Sequence, residues 1–518
     1  MPNNIEEPCD GDDRSNIVPS KTSQVETLEE RTKRVFALTD DERKELRYRH
    51  LSSLSFIMVM IVFGIPLWWC TTSTYRVAFR NFSPQQEITI PIDVVLACWN
   101  RSLVYSLERI SASLSEEFRN LPPIERLNLN FITHLEKTTS LEETTRRALL
   151  DGRFSIRIAL VSEEEWSFMG RVIHFSSGGW TFVKTSSDEK KVTGRVLTAI
   201  TDVLVDMAHL SKRLVWDSAA QSAHYIVQMI FAHAGFNVSD DSYEPTQVLT
   251  DVRRFAAKIS GITHLRVSSE HLWDFDLTAW LRKDVQERWT LNMDDISKII
   301  IEADHETSTV ESSFPLLKLL ILDYEEPIVL LDQTGEDSSG VVVASWGAVV
   351  SCSSKRSSSV SVSTIASLRV LLGLDTELPA GASKDPSPVS EWELSRLKLR
   401  SFVDFSMNAI SSVEAIHNLI VQIDNIVIND EVASSADRAV ELIEYALNTA
   451  QRTGQLDIAS VVKGHELAQK AVNDHSLLAL LYFPSDQKFA IYLPLFLPTL
   501  LPLFGSMFTL YKHWRNND

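Results

Sequence analysis

LSSLSFIMVMIVFGIPLWWCTTSTY, residues 51–75, contains no charged residue, and neither does FAIYLPLFLPTLLPLFGSMFTLY, residues 489–511. An α-helix rises about 1.5 Å per residue, so about 20 residues cross a hydrocarbon core of about 30 Å. Both stretches are long enough. The sequence therefore predicts a chain held in a membrane near both ends, with the polar body between them on one side.

The flanks choose the side. Arg43, Lys44, Arg47 and Arg49 precede the first stretch against Arg76 and Arg80 after it, and Lys512, His513 and Arg515 follow the second against Lys488 before it. Lys and Arg are retained in the cytosol. Both stretches then predict cytosolic termini and a luminal body. The first lies too far into the chain, and its apolar run is too long, for a cleaved signal peptide. The basic sequence after the second argues against a removable glycolipid-anchor tail. Arg47 and Arg49 fall at headgroup height and are candidates for binding anionic lipid heads. Pro494, Pro498 and Pro502 recur every four residues. Each lacks an N–H and frees a carbonyl one turn earlier, a cost tolerated in lipid where a neighbour satisfies it. This proline face is predicted to pack on another membrane protein.

Charge describes the body. The chain carries a net charge of -19. Residues 1–50 hold 12 acids and 9 bases, or -3, and the last seven residues hold two bases and one acid, or +1, which leaves -17 between them. So acidic a surface repels phosphate backbones, and no nucleic acid is expected as a partner. Four cysteines are too few for a disulfide scaffold. Cys98 and Cys352 lie deep in the body, where sequence leaves both pairing and two buried thiols open.

The fold class expected is an α/β luminal domain, a mixed sheet with flanking helices, followed by a helical C-terminal region. Residues 1–50 read as a disordered cytosolic tail, 51–70 as the first membrane helix, and 71–376 as the α/β domain. A loop covers 377–390, helices cover 391–488, the second membrane helix covers 489–511, and 512–518 is a short cytosolic tail. Runs rich in β-branched residues mark strands at 86–97, 154–161, 172–183, 262–267, 327–331 and 341–350. Helical spacing marks 195–214, through Val196, Ile200, Val203, Met207 and Leu210, and also 218–234 and 248–260. Ser390 and Glu393 form a capping-box pattern ahead of a long amphipathic helix. Two more helices are expected at 430–451 and 457–472, with Gly454 as the stop between them.

Chemistry is sparse. The sequence holds no HExxH, GxSxG, CxxC, Walker loop or GxGxxG, and no cofactor is expected. His174 beside Ser176 and Ser177 gives no triad geometry, and nothing local activates Cys98 as a nucleophile. Asp274-Phe275-Asp276 matches the DxD pattern with which luminal glycosyltransferases hold a metal and a sugar nucleotide, which supplies an alternative function. Two acids two apart arise readily in so acidic a chain, and a solvated helix start is the preferred reading. A two-span sensor is a further class, with little cytosolic chain for output. Sequons fall at Asn81, Asn100 and Asn237, of which Asn237 and Asn100 are the candidate glycosylation sites. Asn100 also suits a cap on a helix from about Ser102.

Several blocks resemble one family. Gly64-Ile65-Pro66-Leu67-Trp68-Trp69, Thr71-Thr72 and Tyr75-Arg76 look like the first-helix signature of the PIG-S subunit of glycosylphosphatidylinositol (GPI) transamidase. Leu481-Tyr482-Phe483-Pro484, the run from Asp486 to Tyr492, and Pro494-Leu495-Phe496-Leu497-Pro498 resemble the second. Asn425-Ile426-Val427-Ile428, Asp430-Glu431-Val432-Ala433-Ser434, Ser345-Trp346-Gly347 and Leu371-Leu372-Gly373-Leu374 are similar to its body. Cys70 and Ala348 depart from the family pattern. The resemblance implies a non-catalytic subunit in the endoplasmic reticulum membrane. It would support the assembly that attaches GPI anchors to the C-termini of precursor proteins. The implied partners are PIG-K-like, PIG-T-like, PIG-U-like and Gaa-type subunits and membrane lipids, with the catalytic cysteine in the PIG-K-like subunit.

Overall fold

The computed structural model describes residues 40–72, 75–83, 87–98, 103–137, 152–168, 170–212, 221–234, 244–308, 312–324, 326–332, 334–352, 357–423, 426–477 and 485–517. The chain divides into two compact units. One holds the terminal segments through Thr74 and from Leu480, and the other is Tyr75–Ala479.

In the first unit, helix α1 (Asp40–Val59) runs through a π-helical turn (Met60–Gly64) into α2 (Ile65–Thr72). The π turn has a local cause. Pro66 has no N–H to offer the preceding turn, and the Ile65 N–H reaches back five residues to the Met60 carbonyl. Residues 40–50, read from sequence as part of a disordered tail, are helical and continuous with the apolar stretch. Arg47–Leu67 is long and apolar enough to span a membrane. A 33-residue C-terminal helix, Ser485–Asn517, packs against α1 and encloses all three prolines. On α1 and its π turn, Ser53, Phe56, Ile57, Met60 and Gly64 are half-buried at helical spacing, as are Leu500, Leu503, Ser506 and Leu510 opposite.

The second unit is built on three sheets. The six-stranded sheet runs β15-β4-β5-β3-β1-β2. Its strands are β1 (Ile88–Cys98), β2 (Leu127–Lys137), β3 (Ser155–Val161), β4 (Ile173–Phe175), β5 (Trp180–Lys184) and β15 (Ala382–Lys384). A five-stranded sheet runs β13-β14-β10-β6-β7. It contains β6 (His224–Ala234), β7 (His264–Trp273), β10 (Leu316–Tyr324), β13 (Gly340–Val343) and β14 (Gly347–Ser351). A small sheet, β12-β11-β9-β8, is made from β8 (Arg282–Lys283), β9 (Trp289–Asn292), β11 (Ile328–Leu331) and β12 (Asp337–Ser338). Helices α3 (Val104–Arg119), α4 (Glu189–Thr198), α5 (Met207–Lys212), α6 (Pro245–Ile259), α7 (Met293–Glu306) and α8 (Ser357–Leu371) flank the sheets. The α/β expectation holds, and its parallel strands show the crossovers such sheets require.

The helical C-terminal region is also present: α9 (Glu391–Gln422), α10 (Asp430–Thr453) and α11 (Ile458–Val472). Ser390 and Glu393 form the expected capping box, Asn429 and Asp457 cap the next two helices, and Gly454 closes α10 at φ 72°. These helices are not a separate layer. Phe402, Val403, Phe405, Ile410, Ile443 and Val461 share one core with Ile90, Ile92 and Val94 of β1. A second core joins α6 and α8 to β6, β10 and β14, and includes Leu397 of α9.

Three sequence expectations are corrected, and the open cysteine question resolves to two buried thiols. Residues 218–234, read as a helix, supply β6 instead. Ten of its eleven residues are buried, and a strand covered on both faces is a continuous apolar run that carries no period-two signal. The 195–214 helix is broken by a π turn (Ala199–Leu204) and by Asp206 at φ 56°. The 377–390 loop contains β15, which closes the edge of the six-stranded sheet. Cys98 lies in the first core and Cys352 in the second, and they are not bridged.

Candidate functional site: a membrane-proximal strap and two sheet edges

Two of the sequence blocks, far apart in the chain, meet in space. The Arg76–Ile428 bridge is framed by Val77 N–H donating to the Ile428 carbonyl and Ile428 N–H donating to the Tyr75 carbonyl, at 3.2 and 3.1 Å. Arg76 donates from Nη2 to the Ile423 carbonyl at 2.9 Å and from Nε to the Ile426 carbonyl at 3.1 Å. Ile423 caps α9, so the guanidinium satisfies carbonyls that a helix end leaves without intrahelical partners. Tyr75 Oη donates to Asp430, which raises the phenol pKa, and Arg80 reaches Glu444 at 2.9 Å. Phe82 then enters the first core. The segment that follows the first apolar helix is thus strapped along the start of α10.

Other sequence candidates scatter. Arg47 and Arg49 are exposed on α1. Pro494, Pro498 and Pro502 are exposed within the C-terminal helix, off the half-buried face that meets α1. Asn100 and Asn237 lie outside the described residues, and Asn81 is exposed with its Oδ1 accepting from Phe82 N–H. Asp274 and Asp276 do not start a helix. Asp274 adopts φ 60° just after β7, and Asp276 accepts from both N–H and Oγ1 of Thr278, hydrogen bonds that lower its pKa. No metal-ligating group of three or more side chains occurs among the described residues.

His174 does gain partners, though not the serines beside it. β15 runs parallel to β4 with Ser383 opposite His174. His174 Nδ1 is 2.9 Å from Ser383 Oγ, and Nε2 is 2.9 Å from Asp385 Oδ1. Asp385 also accepts from Ser177 N–H at 2.8 Å and Ser176 Oγ at 3.2 Å. The hydrogen bonds, led by that from the Ser177 backbone, hold its carboxyl below the ordinary range. Phe168 stacks on the imidazole at 3.7 Å between ring centres. Asp385 thereby gathers β4, its following turn and β15 into one edge.

A second cluster was invisible in the sequence. Parallel register puts Asp323 of β10 beside His233 of β6, and His233 beside Trp273 of β7. His233 Nδ1 is 3.0 Å from Asp323, and its Nε2 is 3.0 Å from His271 Nδ1. The period-two spacing of His271 and Trp273 puts both on one face of β7 but says nothing of their partners on β6 and β10.

At the opposite end of the six-stranded sheet, β2 is an edge strand. Ile132 and Leu135 are exposed on it, and a groove of about 770 Å³ runs alongside, lined by Phe118, Ile124, Leu129 and Phe131. Phe118 stacks on Phe131 at 4.5 Å. Among the described residues the outer side of this strand has no pairing strand, and apolar side chains flank it.

Comparison with known proteins completes the picture. A family model described as phosphatidylinositol-glycan biosynthesis class S protein matches residues 55–517, from inside the first apolar helix to the end of the C-terminal one. The bovine (Bos taurus) GPI-anchor transamidase component PIGS is 25% identical over 544 aligned positions, covering 90% of this chain and 96% of that protein. The human (Homo sapiens) protein of that name is 25% identical over 548 positions, with the same coverage of both chains. The mouse (Mus musculus) protein is 24% identical over 539 positions. The chain belongs to the PIG-S family.

Proposed function

We propose that this chain is a component of GPI transamidase that performs no bond-making itself and supports assembly of the complex and attachment of GPI anchors to precursor C-termini. The observation that carries the reading is the family match across residues 55–517, with relatives named as transamidase components along nearly their whole length. The match leaves the DxD transferase alternative without support, and Asp276 is already engaged by Thr278.

In this reading the catalytic cysteine belongs to a PIG-K-like partner, and PIG-T-like, PIG-U-like and Gaa-type subunits complete the assembly. Both apolar helices cross the endoplasmic reticulum membrane, with cytosolic termini and a luminal body. The basic residues on the outer flanks of both stretches support that orientation. The exposed proline face supports a neighbour in the bilayer, where carbonyls freed by Pro494, Pro498 and Pro502 need partners. Arg47 and Arg49 face anionic headgroups, and Asn237 and Asn100 are glycosylated in the lumen.

Purification in mild detergent with identification of co-purifying chains tests the reading. Recovery with a PIG-K-like or PIG-T-like companion is expected, and recovery alone would overturn it. Protease added outside sealed microsomes should spare the body, and digestion of it would reverse the orientation. Glycosidase treatment should shift the chain's mobility, with one step lost in Asn237→Gln.

A further inference from the structure

The Asp323–His233–His271 chain ends at an exposed aromatic face. Its three strands lie side by side in parallel, and all four side chains, with Trp273, sit at their C-terminal ends. In open α/β sheets that is the end where ligands bind. His233 is 9% exposed, whereas Trp273 is 64% exposed. The indole stacks on the His233 ring at 4.3 Å and 17°, and Phe231 stacks on His271 at 4.9 Å.

Hydrogen bonding fixes the tautomers. An ionised Asp323 only accepts, so His233 Nδ1 carries a proton and donates to it. His233 Nε2 is then an acceptor, and His271 Nδ1–H donates to it at 3.0 Å. His271 Nε2 is left with a lone pair and no protein partner among the described residues. Burial and the neighbouring His233 lower the His271 pKa, which keeps that lone pair available. The turn beyond is held rigid. Asp274 adopts φ 60°, and Phe275 N–H donates to the His233 carbonyl at 3.1 Å. The site therefore combines a stacked, solvent-facing indole with an acceptor, His271 Nε2. It suits a ligand with an apolar C–H face and donor groups around it.

We propose that Trp273 and His271 form a carbohydrate-binding subsite, positioned by Asp323 and His233, for a sugar ring whose hydroxyl or amino groups donate hydrogen bonds. The C–H face of the ring lies on the indole, and one donor reaches His271 Nε2. Such rings reach this protein from two sources, the glycan of a glycosylphosphatidylinositol and a protein-linked glycan. Only the choice of the glycolipid rests on the transamidase reading. The subsite itself rests on geometry.

Saturation-transfer NMR on the full chain tests it, in a detergent without a sugar headgroup, with methyl mannoside and methyl glucosaminide as probes. Transfer to at least one probe is expected. Trp273→Ala should abolish it, and His271→Phe, which keeps a flat ring over Phe231 but offers no nitrogen, should weaken binding about tenfold. Asp323→Asn, at a positioning residue, should weaken binding and shift its pH profile, because the amide no longer fixes the His233 tautomer. Trp273 is largely exposed, so an unchanged thermal midpoint in Trp273→Ala separates lost binding from lost folding. Competition by a glycosylphosphatidylinositol in mixed micelles, or by a protein-derived oligomannose glycan, identifies the source, and either supports the subsite. Equal transfer in the wild-type and Trp273→Ala chains, or none to either probe, overturns it. Neither result bears on partner co-purification, which tests the transamidase role separately.

Discussion

Gly347 stands directly opposite Lys318 in the parallel ladder between β14 and β10. A Cβ added at Gly347 would lie 1.8 Å from the Lys318 carbonyl oxygen, and the glycine holds φ 156°. Its neighbour Ser345 is at φ 64°. The Ser345-Trp346-Gly347 block therefore marks a turn that presses one backbone onto another. Only a residue without a side chain fits.

Gly347→Ala should cost at least about 3 kcal/mol, the range of changes that force backbone displacement in a core. The obstacle is main chain and cannot rotate away. Chemical denaturation of the full chain measures it. A cost below about 1 kcal/mol would show that β14 shifts along β10 without penalty.

Arg369 and Glu393 form the most enclosed ion pair described. Glu393 is 1% exposed and meets Arg369 through both nitrogens, at 2.5 and 3.0 Å, while its Oε2 also accepts from Ser390 N–H at the start of α9. Removing either partner leaves a buried charge, so Glu393→Met or Arg369→Met alone should cost about 3–5 kcal/mol. The double Met variant should cost clearly less than the two singles added together. Additive losses in denaturant titration would mean the two side chains act independently.

Asp385 gives the six-stranded sheet an acid-sensitive edge. Its hydrogen bonds hold the folded-state pKa below the ordinary aspartate value of about 3.9. The unfolded chain therefore binds the proton more readily. The stabilisation is complete above that ordinary value and is lost as pH falls through the depressed one. The thermal midpoints of wild type and Asp385→Asn should differ most near neutral pH and converge on acidification. A difference that does not change with pH would assign the effect to geometry rather than ionisation.

Local signals in this sequence were readable, and non-local ones were not. The capping box at Ser390 and the stop at Gly454 depend on neighbours within four residues, and each lies where the sequence puts it. β6 was misread because burial on both faces erases alternation. β2 and β10 went unmarked. The strap joins Arg76 to residues about 350 positions away, and the Asp323–His233–His271 chain depends on the register of three strands. No spacing rule within one segment reports on such pairings. The blocks around Tyr75 and Asn425 were recognised separately by resemblance, and their contact came only with the fold.

The outer edge of β2 bears on assembly. Among the described residues its backbone pairs with β1 on one side only, and Ile132 and Leu135 are 39% and 40% exposed there. Long apolar edge strands of this kind invite another chain, and natural monomers blunt them with charge. In β2 the titratable side chains are His134, which meets Asp93 at 3.1 Å, and Glu136 and Lys137 at the strand's end, so Ile132 itself carries no charge at the edge. Ile132→Lys places a charge at the centre of the edge while leaving the core side of the strand intact. An exposed substitution of this sort changes folding stability by no more than about 0.5 kcal/mol. A luminal partner docked on β2 would lose both its apolar contact and the approach to the ladder. Co-purification of partner subunits should therefore fall while the thermal midpoint stays put. If the variant retains its partners in full, β2 faces solvent in the assembled complex and docking belongs to another surface. A lower midpoint alongside lost partners would instead place Ile132 among the contacts that hold the sheet together.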